Sequence, residues 1–270
     1  MRRVATALLT LPLMIGGTSD IPLPATYTMN TAEATPLDDE ITIMSANVHG
    51  WETLQKKPGF STFMATLLRE SPDIVFVNEM IDDPAKIQAI ADAGYSNVYA
   101  QTKTQGIRES TGNAVLSKAP LRLERVVWLQ NSHTTEPRNA MIVGVQTTKG
   151  WVWVANTHLS INTDEARRQL RQLDDEIHSG EPVAIFGGDL NYEQPISEPR
   201  TIGKSAVRSG RLLDFQAAVD QPPTFPHGLE IFRLDHILSS CFLPEDPYTV
   251  DIGSDHKGLM VHGDISKCAN

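Results

Sequence analysis

Residues able to bind cations and move protons recur in this chain at the ends of apolar runs. Asn47 follows Ile41-Thr42-Ile43-Met44-Ser45-Ala46, and Glu79 follows Ile74 to Val77 with Asn78 between. His158 closes the run that starts at Trp151, and Asp189 and Asn191 follow Val183 to Phe186 through Gly187-Gly188. Asp235 lies in Arg233-Leu234-Asp235-His236-Ile237-Leu238, and Asp255-His256 come just before the apolar run from Gly258. A core would not choose these side chains. Functional groups collect at strand ends, where loops are held by a rigid scaffold. Carboxylates and carboxamides offer oxygen to a hard divalent cation, and imidazoles exchange protons near neutral pH. If the strand ends converge, they form one acidic, imidazole-bearing cleft. Singly, each residue has an ordinary reading: Asn47 as a turn cap, Glu79 in a solvated acidic loop, His158 as a surface histidine, Gly188-Asp189-Leu190-Asn191 as a turn, Ser254-Asp255-His256 as a cap or turn. Their joint occurrence is what points to chemistry.

The elements that would position them alternate between strand and helix patterns. Ile41–Ala46, Ile74–Val77, Asn113–Leu116, Leu121–Leu129, Met141–Thr147, Trp151–Asn156, Val183–Phe186, Phe232–Leu238 and Gly258–His262 read as strands. Phe60–Arg69 has helical spacing, Asp83–Ala93 reads as a helix closed by Gly94, and Thr163–His178 as a polar-faced helix ending at Gly180. Lys149-Gly150 marks a tight hairpin. Consecutive strands in the middle of the chain fit a purely parallel sheet poorly. They suggest an α/β sandwich, two sheets face to face with helices outside.

Composition places limits on function. Of 270 residues, 40% are apolar and 21% charged, ordinary for a globular protein able to bury a full core. A net charge of −10 counts against tight nonspecific grip on nucleic acid, but an acidic cleft that holds a divalent cation is compatible with it. Arg2-Arg3, the apolar run Val4 to Ile15 and the small residues after it read as an export signal, too short for a membrane span. Cleavage near Gly17 to Ser19 or at Ala32-Glu33-Ala34 both fit. Ile21 to Glu40 has a linker composition. The expected organisation is therefore a signal peptide and linker over 1–37 and one domain over 38–267, with a secreted or cell-surface location. Cys241 and Cys268 could tie the tail to the body by a disulfide in an exported protein, or be two unrelated thiols. Their spacing gives no zinc pattern.

The order of the pieces carries a resemblance. Asn47, Pro72-Asp73-Ile74…Glu79, Gly112-Asn113-Ala114-Val115-Leu116-Ser117-Lys118, Asn156-Thr157-His158-Leu159, Gly188-Asp189-Leu190-Asn191, Leu234-Asp235-His236-Ile237-Leu238 and Ser254-Asp255-His256 together resemble the endonuclease/exonuclease/phosphatase superfamily of the deoxyribonuclease I type. The resemblance implies a four-layer α-β-β-α sandwich with two mixed sheets packed face to face. It implies Glu79 as the main metal ligand, Asn47 beside it, and Asp255 contributing directly or through water. Mg²⁺ is the expected cation, with Mn²⁺ or Ca²⁺ as substitutes or a second site. Asp189 would position or deprotonate the attacking water, and Asn191 would hold that water or a phosphate oxygen. His256 would contact the scissile phosphate, oriented by Asp235, and His158 would be the second catalytic histidine; which of them donates a proton stays open. Arg138 reads either as a bidentate phosphate contact or as a strand-edge surface residue. Trp51 reads either as a stacking platform or, preferably, as a core ring.

Departures from the family narrow the substrate. Asn78 stands where Gln is common, a mild change. Arg233-Leu234-Asp235-His236 replaces the Trp-Cys-Asp-Arg of inositol phosphatases. No long basic insertion of the duplex-gripping kind is evident, nor an exposed apolar hairpin of the sphingomyelinase kind. The expected protein is a secreted Mg²⁺-dependent phosphoric ester hydrolase, a nuclease on DNA or RNA. The alternatives are a sphingomyelinase-like lipid phosphodiesterase or small-molecule phosphatase, and a catalytically inactive surface-binding module. Its expected partner is a phosphate-ester substrate, nucleic acid before lipid headgroup; no protein partner is implied and a monomer is expected.

Overall fold

The computed structural model describes residues 27–30, 34–102, 111–131, 137–191 and 215–268. The expected export signal lies outside them. Along the chain come β1 (Tyr27–Asn30), β2 (Glu40–Asn47), α1 (Phe60–Glu70), β3 (Ile74–Ile81), α2 (Pro84–Asp92), β4 (Ser96–Gln101), β5 (Thr111–Ser117), β6 (Leu121–Trp128), β7 (Asn139–Thr147), β8 (Gly150–His158), α3 (Thr163–Ile177), β9 (Val183–Asp189), β10 (Gln216–Ala217), β11 (Asp235–Ser239), β12 (Glu245–Asp251) and β13 (Lys257–Asp264). Seven strands form one sheet in the order β1-β4-β5-β3-β2-β13-β12, and six form the other in the order β10-β11-β9-β8-β7-β6. Both are mixed, with β2–β3 parallel in the first and β8–β9 parallel in the second.

The central strands are apolar on both faces because both faces are covered. On β2 and β3, Ile41, Ile43, Ile74 and Phe76 face the other sheet, where they meet Val143, Val152, Val154 and Ile237. The alternate residues Met44, Ala46, Val75 and Val77 face outward, onto Phe63 and Leu67 of α1 and Ile90 of α2. On the far side, Ala166, Leu170, Leu173 and Ile177 of α3 cover Ile142, Trp153, Ala155 and Phe186. The result is the expected α-β-β-α sandwich. α2 and α3 begin where Asp83 and Asn162 accept hydrogen bonds from the exposed amides of their first turns. Among the described residues no helix is long and apolar enough to cross a membrane.

The sequence reading differs from the structure mainly at sheet edges. The segment read as linker contributes β1, paired antiparallel with β4 through Tyr27↔Ala100 and Asn30↔Asn97. Leu37, just outside the expected domain start, is buried and bridges Thr147. β4 and β12 were not expected as strands. β4 reads Ser-Asn-Val-Tyr-Ala-Gln, and β12 is an edge strand with Pro247 and a register shift between Glu245 and Tyr248. Charge, proline and irregular pairing blunt such edges and also erase the alternation that marks a strand. The last long strand of the second sheet begins at Asp235, not Phe232; Phe232 instead bridges Phe225. Cys241 and Cys268 form a disulfide that ties the C-terminal turn to the end of β11.

Candidate active site

At one end of the sandwich, the face between the sheets changes from apolar to polar with the strand period of two. Phe76 is followed on that face by Asn78, Val154 by Asn156, Val115 by Asn113, Met141 by Asn139 and Ile237 by Asp235. The carboxamides join into a buried network. Asn78 Nδ2 donates to Asn113 Oδ1 (2.9 Å) and Asn156 Oδ1 (3.1 Å), while Asn156 Nδ2 donates to the carbonyls of Val77 (3.0 Å) and Ala114 (2.8 Å). Asn113 Nδ2 donates to Asn139 Oδ1 at 2.8 Å. Across the seam, Asn78 Oδ1 accepts from the backbone N–H of Asp189 at 2.8 Å. Each buried polar atom gains a partner, and the two sheets are locked together directly under the site. Gly188 makes this closeness possible. It has φ +119°, and a Cβ there would fall 2.1 Å from the Thr157 carbonyl oxygen and 2.7 Å from Asn156 Oδ1.

Glu79 reaches the rim through a bulge. The β3–β5 register shifts between Val77 and Met80, and Glu79 takes φ +55°. This extra residue is turned out of the outward face that Val75 and Val77 occupy. Asn47 Nδ2 donates to Glu79 Oε1 (3.2 Å) and to Asp189 Oδ2 (2.9 Å). The expectation that Asn47 is itself a ligand meets a different geometry, because its Oδ1 accepts from the backbone N–H of His49 at 3.0 Å. Asn47 thus holds two carboxylates, one from each sheet. Asp255 enters through His49, whose Nδ1 is 3.4 Å from Glu79 Oε2 and 3.4 Å from Asp255 Oδ2. Burial pushes the Glu79 carboxyl up, but the hydrogen bond from His49 and the donors around it hold it well below the usual carboxylate range. The same hydrogen bond from the Glu79 side raises His49 above 6.5.

Asp189 is the hub of the buried titratable groups. It is paired in register with His158 on β8 and with Asp235 on β11. Its Oδ2 is 3.5 Å from His158 Nε2 and 3.7 Å from His256 Nε2, and its Oδ1 accepts from the N–H of Asn191 at 2.9 Å. Desolvation pushes its pKa up to about 6, with Asp235 adding to the rise and His256 opposing it. His256 donates from Nδ1 to Asp235 Oδ2 at 2.8 Å. Burial alone would lower its pKa, but Asp235 and then Asp189 carry it up to about 10, so it is an imidazolium at neutral pH. His158 goes the other way. Desolvation and then the Arg138 charge hold it well below 6.5. Arg138 is buried, with Nη1 2.9 Å from His158 Nδ1. A guanidinium only donates, so Nδ1 accepts from Arg138, while Nε2 faces Asn191 Nδ2 at 2.9 Å and Asp189 Oδ2 at 3.5 Å. Arg138 is therefore an internal residue, not a strand-edge surface one.

The structure brings Asn47, Glu79, Arg138, His158, Asp189, Asn191, Asp235, Asp255 and His256 into one contiguous set of contacts. Trp51 is a core ring, edge-on to Phe60 and Phe63 with Nε1 donating to the Ile81 carbonyl at 3.1 Å. Sequence reasoning missed three contributors. His49 had a signal, standing two residues after Asn47 and before Gly50. Asn78 was noted only as a departure from Gln. Thr224, whose Oγ1 donates to Asp235 Oδ2 at 2.6 Å, carried no signal. An apolar loop also escaped it. Between the bridged Phe225 and Phe232, Leu229 and Ile231 are 71% and 49% exposed, and the Phe225 ring lies 4.8 Å from the His256 ring.

A model of the endonuclease/exonuclease/phosphatase family matches residues 44–256. The chain belongs to that family. It is similar to tyrosyl-DNA phosphodiesterase 2 of Danio rerio, 26% identical over 171 residues that make up 60% of this chain and 44% of that protein. The match therefore spans less than half the length of that relative. Among solved structures, an endonuclease/exonuclease/phosphatase from Beutenbergia cavernae has a TM-score of 0.68 at 21% identity, over 84% of this chain and 72% of its own. ANGEL2, a 2′,3′-cyclic phosphatase, has a TM-score of 0.63 at 14% identity, over 83% of this chain and 95% of its own. These two bear out the fold.

The family generally uses divalent metals. Among the described residues no three His, Cys, Asp or Glu side chains are already drawn into a closed cage. The donors nevertheless fit a hard cation in type. Glu79 Oε2 and Asp255 Oδ2 each lie 3.4 Å from His49 Nδ1, and Glu79 is held ionised.

Proposed function

We propose that this protein is an exported, Mg²⁺-dependent phosphodiesterase acting on nucleic acid. One observation carries the reading: Asp189 and His256 are both pushed up, giving a carboxylate poised near neutrality beside an imidazolium still charged at neutral pH. Paired groups with separated proton affinities are what acid–base chemistry on a phosphoester needs. Asp189 Oδ2 takes a proton from water as its oxygen bonds to phosphorus. The bond from phosphorus to the ester oxygen breaks, and the departing oxygen takes the proton of His256 Nε2. Of His158 and His256, only His256 is held in the acid form. His158, held neutral, lines the place of a phosphoryl oxygen, and Asn191 holds the water beside Asp189. Asp235 and Thr224 keep the His256 ring charged and aimed. A divalent cation held by Glu79 and Asp255 would neutralise the phosphoryl oxygens and the charge building on the ester oxygen.

The nucleic-acid assignment is supported by the name of the Danio rerio relative, a phosphodiesterase of tyrosyl-DNA. Export is supported by the basic and apolar N-terminal segment and by the Cys241–Cys268 disulfide, which persists in oxidising compartments. A lipid phosphodiesterase is the second reading, favoured by the exposed Leu229 and Ile231 beside His256. The test is a panel of plasmid DNA, RNA, sphingomyelin and a chromogenic phosphodiester, with Mg²⁺, with chelator and with Asp189→Ala. Cation-dependent cleavage of DNA or RNA that Asp189→Ala abolishes is the expected result. Cleavage of sphingomyelin alone overturns the nucleic-acid reading.

A further inference from the structure

We propose that His49 is a nitrogen ligand of the cation site, which makes it a mixed oxygen–nitrogen site that binds Mn²⁺ more tightly than Mg²⁺ while still accepting Mg²⁺. The inference rests on the reading above that Glu79 and Asp255 hold a divalent cation. His49 Nδ1 is 3.4 Å from one oxygen of each of those carboxylates. Neighbouring donors on a six-coordinate cation, at bonds of about 2.1–2.2 Å, are roughly 3 Å apart. A shift of a few tenths of an ångström brings His49 Nδ1 to the spacing of a neighbouring ligand from each carboxylate.

The surrounding contacts assign this role to His49 and to no other group nearby. The Asn47 oxygen, the obvious third donor, is turned away and accepts from the His49 N–H. That hydrogen bond fixes the His49 backbone, which is further held by Trp51 N–H to the Val48 carbonyl at 2.7 Å and by the buried Trp51 ring. His158 Nε2 and His256 Nε2 face Asp189, at 3.5 Å and 3.7 Å, with His158 Nε2 3.9 Å from Glu79 Oε1. His49 Nδ1 is within 3.4 Å of both Glu79 and Asp255. Its side chain is 27% exposed, so a hydrated cation has a path to it. Lys56 Nζ, 3.1 Å from His49 Nε2, donates to that nitrogen and so puts the ring proton on Nδ1. When a cation binds, the proton moves to Nε2 and the exposed Lys56 side chain swings off. Mg²⁺ prefers oxygen donors and keeps its waters, whereas an imidazole favours first-row transition ions.

The experiment uses purified protein loaded with Mn²⁺ and read by pulsed electron paramagnetic resonance, with the Mn²⁺ and Mg²⁺ dissociation constants measured by calorimetry. Modulation from a directly bound ¹⁴N nucleus is expected in the wild type. It should be lost in His49→Ala and in His49→Asp, with circular dichroism showing both folded. His49→Asp, which offers oxygen in place of nitrogen, should lower the Mn²⁺/Mg²⁺ affinity ratio by about tenfold or more. Bound Mn²⁺ without a nitrogen signal, a nitrogen signal that survives in His49→Ala, or an unchanged ratio in His49→Asp overturns the role of His49 and leaves the phosphodiesterase reading standing. A wild-type protein that binds neither ion overturns both.

Discussion

Replacing Asp235 with Asn keeps the shape of the site and removes the charge on which its imidazolium depends. Asp235 is fully buried, and its Oδ2 accepts from His256 Nδ1 at 2.8 Å and from Thr224 Oγ1 at 2.6 Å. Burial alone would hold His256 below 6.5; Asp235, then Asp189, raise it to about 10. At about 1.4 kcal/mol per tenfold change in proton affinity, that rise is worth about 5 kcal/mol, the upper end of the ~3–5 kcal/mol typical for breaking a buried pair. The folded pKa lies above the unfolded one, so the charged ring contributes its full stability below pH 6.5 and loses it as pH rises through about 10. Urea unfolding of Asp235→Asn should therefore show a loss of about 3–5 kcal/mol at pH 6 that narrows between pH 7 and pH 10. The pH–rate profile of the wild type on a chromogenic phosphodiester should fall on the acid side near 6, where Asp189 titrates, and on the alkaline side near 10. In the variant the alkaline limb should move down toward neutrality, and kcat/KM at pH 7.5 should drop by about 10²–10⁴-fold. An unmoved alkaline limb together with a stability loss that is the same at every pH would refute the charge arrangement.

Gly188→Ala should lower Tm by about 6–12 °C, because its Cβ would fall 2.1 Å from the Thr157 carbonyl oxygen at a φ of +119°, costing about 3 kcal/mol or more. A thermal melt within 2–3 °C of the wild type would show that β8 and β9 are not in such close contact there. Paired Cys241→Ser and Cys268→Ser replacements release a link across 27 positions, worth about 3.5 kcal/mol by chain entropy. Denaturant unfolding of the oxidised wild type beside this variant should show that difference, and equal midpoints would mean that the bond contributes nothing.

The strands that bury both faces were the legible part of this fold. Ile41 to Ala46, Ile74 to Val77 and Val183 to Phe186 are continuous apolar runs because each is covered by a sheet on one side and a helix on the other. The site was legible for a related reason. Asn47, Glu79, His158 and Asp189 interrupt or end such runs, and a polar residue stands out against an apolar one. Edge strands gave no such contrast: β1 and β4 are built of Tyr, Thr, Asn, Ser and Gln as well as apolar residues, so pairing and not pattern defines them. Thr224 and Phe225 were invisible because they reach Asp235 and His256 by tertiary contact alone. Arg138 could be placed near a strand start, but whether it faced solvent or His158 depended on which side of β7 the preceding chain ran.

The polar rim is a continuation of the core and not an addition to it. On five strands from the two sheets, the residue after the last inward apolar side chain is a carboxamide or carboxylate: Asn78, Asn113, Asn139, Asn156 and Asp235. Because the strand period is two, a slip of one residue in any of these pairings would turn that group out of the seam and leave its partners buried without hydrogen bonds. The network thus penalises misregister and fixes Asp189 by the same contact, the bond from its N–H to Asn78 Oδ1. Glu79 is the exception that completes the site. Strict alternation would place it with Val75 and Val77 under α1 and α2, where an ionised carboxylate has no counterpart. The bulge at φ +55° puts Met80 in that apolar layer instead and delivers Glu79 to the rim. Local backbone strain of about 1–3 kcal/mol is the cost of having a charged residue in an otherwise alternating strand, and the hydrogen bonds from Asn47 and His49 offset it.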